Sequence, residues 1–583
     1  MDEIESLEPY DDGRWTVIDH LPIPRFPLVC RGNTGEVYPN VVTPLTGSLV
    51  GSPFAQGQVR MALEYGMASR DQLAVFDGIG SGITSVFGGY LYGNVSLARS
   101  AVARTPGLTV DVIDRQMFGL SGAPPYRRGP GDRDLRLTLR AGRKMGRAIL
   151  RPDGQRLANS REDIADYVRR APSVESASDE ALLQLVGALG PRLERMMNEL
   201  LVESAFAGIG RSMLERLVAD SGADGVVNRL TAGLGTIESA EPALELWKLS
   251  RLVVADVDLT QIFNEGIDGL DSRLRAAQPR ARVGSFLDGF DLFRARHGSR
   301  GPDEWELASP TWGSDPAIGL AMIDRLRHSP EDRDPVAVGA RLARERETLT
   351  REVRAGLPRL KRRAFDVALR ATVHYEAQRE ATKAAFVRML NPPRCALAEL
   401  ARRSGLDHRD FFLLTIDELP AVLGDSSAFA DVIAERRRRR EFLQARVPPF
   451  WFNGQVPPPH TWQLRAGGRS PLANERQLHG IGVCAGVATG TARVVTDPSR
   501  PGDLGPDDIL VAPITDPAWT PLFLAVAGVV VDVGAQQSHA AIVARELGIP
   551  AAVSVEGAST TIPDGARVTV DGSTGTVTVH GPT

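Results

Sequence analysis

Between about residues 160 and 260 apolar side chains recur three and four positions apart, the period of a helix that buries one face. SerAspGluAlaLeuLeuGlnLeuValGlyAlaLeu (178–189) opens with a cap residue and two acids and then follows that spacing. ProAlaLeuGluLeuTrpLysLeuSerArgLeuVal (242–253) starts a second helix, with proline in its first turn. A longer, charge-rich helical region spans about 336–404. Near the C-terminus the period changes. AlaGlyValValValAspVal (527–533) is a β-branched apolar run that reads as a buried strand. The stretch that follows returns to helical spacing, with Ser538 as its cap and Gly548 and Pro550 as its stop.

The remaining segments lack a sustained period. Residues 1 to about 30 read as an extended lead-in, and 31–48, with glycine and proline at turn positions, as a surface connection. GlyGlyTyrLeuTyrGlyAsnValSer (88–96) has the pattern of a strand or turn leading into a short helix. ArgHisGlySerArgGlyProAspGluTrpGluLeu (296–307) is a polar loop between helices. Residues 447–476, dense in proline and glycine, read as a linker. The expected architecture is multidomain α+β: a largely helical domain over 1–446, loop- and strand-rich at its start, then the linker, then a small α/β domain over 477–583.

At 583 residues, 43% hydrophobic and 24% charged, the chain has the composition of a multidomain globular protein. A net charge of −4 provides no overall pull toward nucleic acid or a membrane surface. ArgArgArgArgArg (436–440) is flanked by Glu435 and Glu441 and reads as one face of a helix, not a nucleic-acid site. No apolar run reaches the roughly 18–20 residues of a membrane span. The acidic start lacks the features of a secretory signal. Cys30, Cys395 and Cys484 are far apart, without metal-ligand spacing, which suits a reducing cytoplasm.

Three groups of residues carry candidate chemistry. His539 falls at a strand-to-helix turn, where free N–H groups and the helix dipole accommodate a phosphoryl group, although histidine there also serves as a packing residue. Arg379 and Lys383, four apart, share a helix face and could clamp a phosphoryl group, or simply face solvent. Arg300 and Glu304, on irregular backbone, are either functional or a salt bridge that braces the loop. Met196 and Met197 read as core filler.

Four separated segments change the weight of these readings. LeuHisGlyIleGlyValCysAlaGlyValAlaThrGlyThrAlaArgValVal (478–495), IleLeuValAlaProIleThrAspProAlaTrpThrPro (509–521), the SerHisAlaAlaIleValAlaArgGluLeuGlyIlePro block (538–550) and ValAspGlySerThrGlyThrVal (570–577) together resemble the swivelling phosphohistidine domain of phosphoenolpyruvate-utilising enzymes. Ala535 stands where that family usually has a second glycine. AsnThrGlyGluValTyrProAsnValValThrProLeuThr (33–46), TyrLeuTyrGlyAsnValSer (90–96) and the GlySerArgGlyProAspGlu loop (298–304) are similar to the substrate-binding region of the rifampin phosphotransferase-like branch.

The resemblance implies a phosphotransferase in which His539 carries the phosphoryl group, with Ser538 and Gln537 beside it. Arg379 and Lys383 would face it, Arg300 and Glu304 would line the substrate cleft, and Glu36 would bind or deprotonate an acceptor hydroxyl where the branch has glutamine. No tightly bound cofactor and no metal ligand are implied. The chain reaches the substrate-domain motif by residue 31 and leaves only GlyProThr beyond the phosphohistidine domain, so ATP and magnesium are expected on a separate ATP-grasp subunit. A phosphate ester or a dehydrated compound could result. A noncatalytic scaffold or regulatory protein and a phosphohistidine relay are the alternatives.

Overall fold

The computed structural model describes residues 7–581 except 77–82, 106–107, 120–121, 130–131, 133, 220–224, 236, 279, 466–475 and 499. The architecture is α+β in several domains, as the hydrophobic pattern predicts. The helical part is built on three long helices, Pro44–Tyr65, Gly190–Val218 and Arg359–Ser404, which pack against one another. Their core takes in Met196, Met197, Phe386 and Leu390, all no more than 3% exposed. Among the described residues no helix is long and apolar enough to cross a membrane.

Two stretches differ from the expectation. Residues 31–48 are not a surface connection: Thr34–Val37 form one helical turn, and Pro44 opens the 22-residue helix Pro44–Tyr65. Thr43 caps that helix, its Oγ1 accepting from the Thr46 N–H at 3.3 Å. Thr-Pro here is a cap followed by the first helical position, where proline's missing N–H costs nothing, so the same residues that signal a turn also signal a helix start. The second stretch is the linker. Trp451–Asn453 adds a strand to an antiparallel sheet ordered Thr84–Phe87, Tyr90–Asn94, Leu28–Cys30, Trp451–Asn453, with Phe452 opposite Val29. Trp462 is buried in the same aromatic cluster, and its indole N–H donates to the Pro457 carbonyl at 2.9 Å. Burying these aromatic rings outweighs the freedom a proline-rich chain would otherwise keep. The first part of 447–476 is thus fastened to the N-terminal sheet, and 466–475 lie outside the described residues.

The C-terminal domain is an eight-stranded mixed sheet. Its middle, Val487–Val494, Asp508–Ala512, Gly528–Val531 and Ala551–Val553, is parallel; the last three strands are buried throughout and mostly apolar, as strands covered on both faces must be, while Val487–Val494 alternates buried and more exposed positions. Antiparallel strands flank it on both sides. The expected strand at 527–533 is Gly528–Val531, and the expected helix is His539–Leu547, capped by Ser538 and stopped by Gly548 at φ 66°. One face packs on the helices Glu241–Val254 and Pro316–Leu326 through the short helix Thr520–Leu524. The five arginines of 436–440 lie on the helix Ala430–Gln444, where Arg436 pairs with Glu418 at 2.7 Å and Arg437 with Asp410 at 2.6 Å.

Candidate functional site

The turn from the strand Gly528–Val531 into the helix His539–Leu547 is held from both ends. Ser538 Oγ accepts from the Ala541 N–H at 3.2 Å, and the Arg545 guanidinium donates to the Gln536 carbonyl at 2.8 Å. His539 is 2% exposed. Its Nε2 lies 3.2 Å from Thr520 Oγ1, and its Nδ1 has no hydrogen-bond partner among the described residues. Burial, opposed by Glu380 and reinforced by the nearby cations, lowers its pKa to about 3. The imidazole is therefore neutral at physiological pH, with a lone pair available for attack.

Three separate segments face it. Glu36, on the one-turn helix Thr34–Val37, accepts the His539 backbone N–H at 3.3 Å on Oε2. Its other oxygen is unpartnered among the described residues. Burial raises its pKa to about 7, although Lys383 and Arg379 pull it down. On the long helix, Arg379 Nη2 donates to the Gln537 carbonyl at 2.6 Å. Glu380, fully buried, has one oxygen 3.4 Å from Arg379 and 3.3 Å from Lys383. Burial would raise the Glu380 carboxyl, but the two cations prevail and hold it at about 2. Burial lowers the Lys383 ammonium.

The third segment is the loop at 298–307. Arg300 and Glu304 are buried and 3.6 Å apart, and neither Glu304 oxygen has a hydrogen-bond donor among the described residues. The loop is pinned from behind. Arg394 donates to the Glu304 carbonyl at 2.7 Å, and Trp305 stacks on Phe386 with ring centroids 4.0 Å apart. Asp516, from the C-terminal domain, accepts the Asp303 N–H at 2.9 Å and caps Ala518. Burial and the charge of Glu304 raise the Asp516 carboxyl to about 8.

Glu36, Glu304, Lys383, Asp516 and His539 line one cavity with about 20 Å³ for the centre of a water molecule. That is room for one water. Among the described residues no set of three or more His, Cys, Asp or Glu is placed to hold a metal ion.

The structure therefore brings Glu36, Arg300, Glu304, Arg379, Lys383 and His539 together from four distant parts of the chain. The Ser538 hydroxyl caps the helix, and Gln537 contributes its carbonyl to Arg379 while its amide lies toward Gly208. Sequence reasoning assigned no part to Glu380, Thr520 or Asp516. Thr520 and Asp516 stand inside the 509–521 segment, where Asp-Pro is a cap signal, and Glu380 sits beside Arg379.

Residues 200–380 match the family described as rifampicin phosphotransferase fourth domain, and residues 504–575 the PEP-utilising enzyme mobile domain. A rifampicin phosphotransferase of Streptomyces sp is 30% identical over 444 residues, covering 72% of this chain and 49% of its own length. The prodigiosin synthesizing transferase PigC of Serratia marcescens is 32% identical over 373 residues, 61% of this chain and 40% of its own. An uncharacterized protein of Mycobacterium tuberculosis is 34% identical over 288 residues, 48% of this chain and 30% of its own. The chain thus spans half or less of the length of these relatives. Matching both the rifampicin phosphotransferase fourth domain and the mobile domain, the chain is similar in these two regions to the PEP-utilising enzymes related to rifampicin phosphotransferase.

Proposed function

We propose that this chain is a phosphotransferase component in which His539 carries a phosphoryl group to the hydroxyl of a small organic acceptor. The observation that carries the reading is the buried, neutral His539 at a helix N-terminus, facing Arg379 and Lys383 on one side and Glu36 on the other. In the loading step an imidazole nitrogen attacks the donor phosphorus, an N–P bond forms and the P–O bond to the leaving group breaks. In the delivery step the acceptor oxygen attacks phosphorus, its proton passes to the Glu36 carboxylate, and the N–P electron pair returns to the imidazole. Arg379 and Lys383 stabilise the charge on the transferring group, which is the main demand of this chemistry.

In this reading residues 1–446 receive the group and 477–583 carry it. The donor is ATP with magnesium, held by an ATP-grasp domain or subunit beyond these residues. The reaction is placed in the cytoplasm, consistent with three unpaired cysteines. A phosphate ester results, and an acceptor whose ester is a good leaving group goes on to elimination.

The size of the cavity beside Lys383 favours a second reading, a relay that passes the group to another protein, because one water's space is not an acceptor site. Intact-protein mass spectrometry at neutral to alkaline pH, after incubation with ATP, magnesium and an ATP-grasp protein, tests the carrier. A single phosphate gained by the wild type and absent from His539→Ala is the expected result, and no phosphate with any donor overturns it. Subsequent loss of that phosphate to a small alcohol, without a second protein, excludes the relay.

A further inference from the structure

Glu380 has no part in the steps above although it faces the same two cations, Arg379 and Lys383, and its surroundings differ from those of a structurally bonded buried carboxylate such as Glu306. Glu306, on the neighbouring loop, is a structural acid by every measure. It accepts from the Thr43 N–H at 3.0 Å, the Thr43 hydroxyl at 2.8 Å, the Thr46 hydroxyl and the Ala308 N–H at 3.1 Å. Glu380 is as deeply buried, yet neither of its oxygens makes a well-formed hydrogen bond to any described residue. Arg379 and Lys383, at 3.4 and 3.3 Å, provide most of its compensation, with the buried Ser239 hydroxyl beside it. A buried carboxylate held chiefly by two cations, without a full set of hydrogen bonds, gives way when a stronger anion arrives.

A stronger anion is what the proposed function brings. A phosphoryl group carries about −1.5 to −2 charge and three acceptor oxygens, which match an arginine fork and a lysine better than one carboxylate does. There is also no free volume for it, since the cavity beside His539 and Lys383 has room for one water. A phosphoryl group on His539 would compete with the Glu380 carboxylate for the two cations.

We infer that Glu380 is a built-in counter-anion, occupying Arg379 and Lys383 while His539 is unphosphorylated and surrendering them to the phosphoryl group when the loaded histidine docks. This rests on the phosphohistidine reading. Glu380 is a positioning residue in this account: it keeps two buried cations in place without bound phosphate, and it excludes free inorganic phosphate from the site.

The exclusion can be measured directly. Inorganic phosphate is titrated calorimetrically into the full chain carrying His539→Ala, so that no covalent phosphate forms, with and without Glu380→Gln. The expected result is a gain in phosphate affinity of at least about tenfold in Glu380→Gln, diminishing with added salt as charge attraction does. Loss of structure cannot produce such a gain. Glu376→Gln, one turn earlier on the same helix, is expected to show none. Equal affinities with and without Glu380→Gln, or an equal gain in Glu376→Gln, overturn the inference. If Glu380→Gln does not fold, Glu380→Asp takes its place: the shorter side chain leaves one cation, and a folded aspartate variant with no gain overturns it equally. Phosphohistidine formation in the His539 protein is read separately by mass. A gain in phosphate affinity without phosphohistidine sinks the carrier reading and leaves the counter-anion; phosphohistidine without the gain does the reverse.

Discussion

The C-terminal domain meets the helical part through two surfaces of opposite character. On one, the short helix Thr520–Leu524 packs on Glu241–Val254 and Pro316–Leu326. Leu522, Phe523 and Leu524 join Leu246, Leu249 and Leu326 in one continuous apolar cluster, none more than 5% exposed. On the other, the long helix presents Glu376, Arg379, Glu380 and Lys383, at the i, i+3, i+4 and i+7 positions of one face. Arg211 stands 4.0 Å from Glu376, and Arg545 of the C-terminal domain senses the same carboxylate. Apolar burial depends on area alone and is indifferent to whether His539 bears phosphate. The charged face is not. On the proposed function the first surface supplies affinity and the second is the one that would discriminate between the loaded and unloaded carrier, a division of labour common at protein interfaces.

The largest expected effect lies on the apolar side. Leu522→Ala should cost about 2–5 kcal/mol in chemical denaturation, because a fully buried leucine leaves a cavity behind. Its effect should not change with salt. A strongly salt-dependent effect would break the comparison.

On the charged side, Lys383→Ala or Arg379→Ala should slow delivery by about 10²–10³-fold in rapid-quench measurements while His539 is still loaded by the donor. Equal losses in loading and delivery would assign the two cations to folding instead.

A smaller and more specific effect concerns pH. The folded-state value of Glu36, about 7, lies above its ordinary 4.5. Its contribution to stability is therefore complete below about 4.5 and is lost as pH rises through about 7. His539 has the opposite sign: with a folded value of about 3 against 6.5, its contribution is complete above 6.5 and lost as pH falls toward 3. Glu36→Gln should thus flatten the fall in melting temperature across the neutral range. As the base, Glu36 must be ionised, so delivery should rise about tenfold per pH unit below about 7 and level off above it. Glu36→Gln should remove that inflection. An unchanged profile would exclude Glu36 as the base.

The smallest effect is expected outside both surfaces. Arg438 lies in the five-arginine run with its side chain 71% exposed and paired only locally, 2.6 Å from Glu435. Arg438→Ala should leave stability and delivery unchanged, as exposed pairs contribute little.

What could be read from the chain and what could not divide along a physical line. The helix His539–Leu547 was legible because its cap, spacing and stop are all local, and local rules suffice for Ser538 and Gly548. The i,i+4 relation of Arg379 and Lys383 was legible for the same reason. Residues 31–48 were misread because proline and glycine serve both turns and helix starts, and only packing against the long helices selects the second. The linker was misread because strand pairing between Trp451–Asn453 and Leu28–Cys30 crosses more than 400 residues.

The sequence by itself determined the helical and α/β halves, the position of His539 at a helix start, and the residue types of the site. Only the tertiary structure decided that Glu36, Glu304, Arg379, Glu380, Lys383 and His539 meet, and in what electrical state. Glu36 and Glu380 are the same residue type and face the same two cations, yet one is raised to about 7 and the other held at about 2. Both are fully desolvated, and the difference is how closely the two cations approach, 3.3 and 3.4 Å at Glu380, which is set by three dimensions and written in no local pattern.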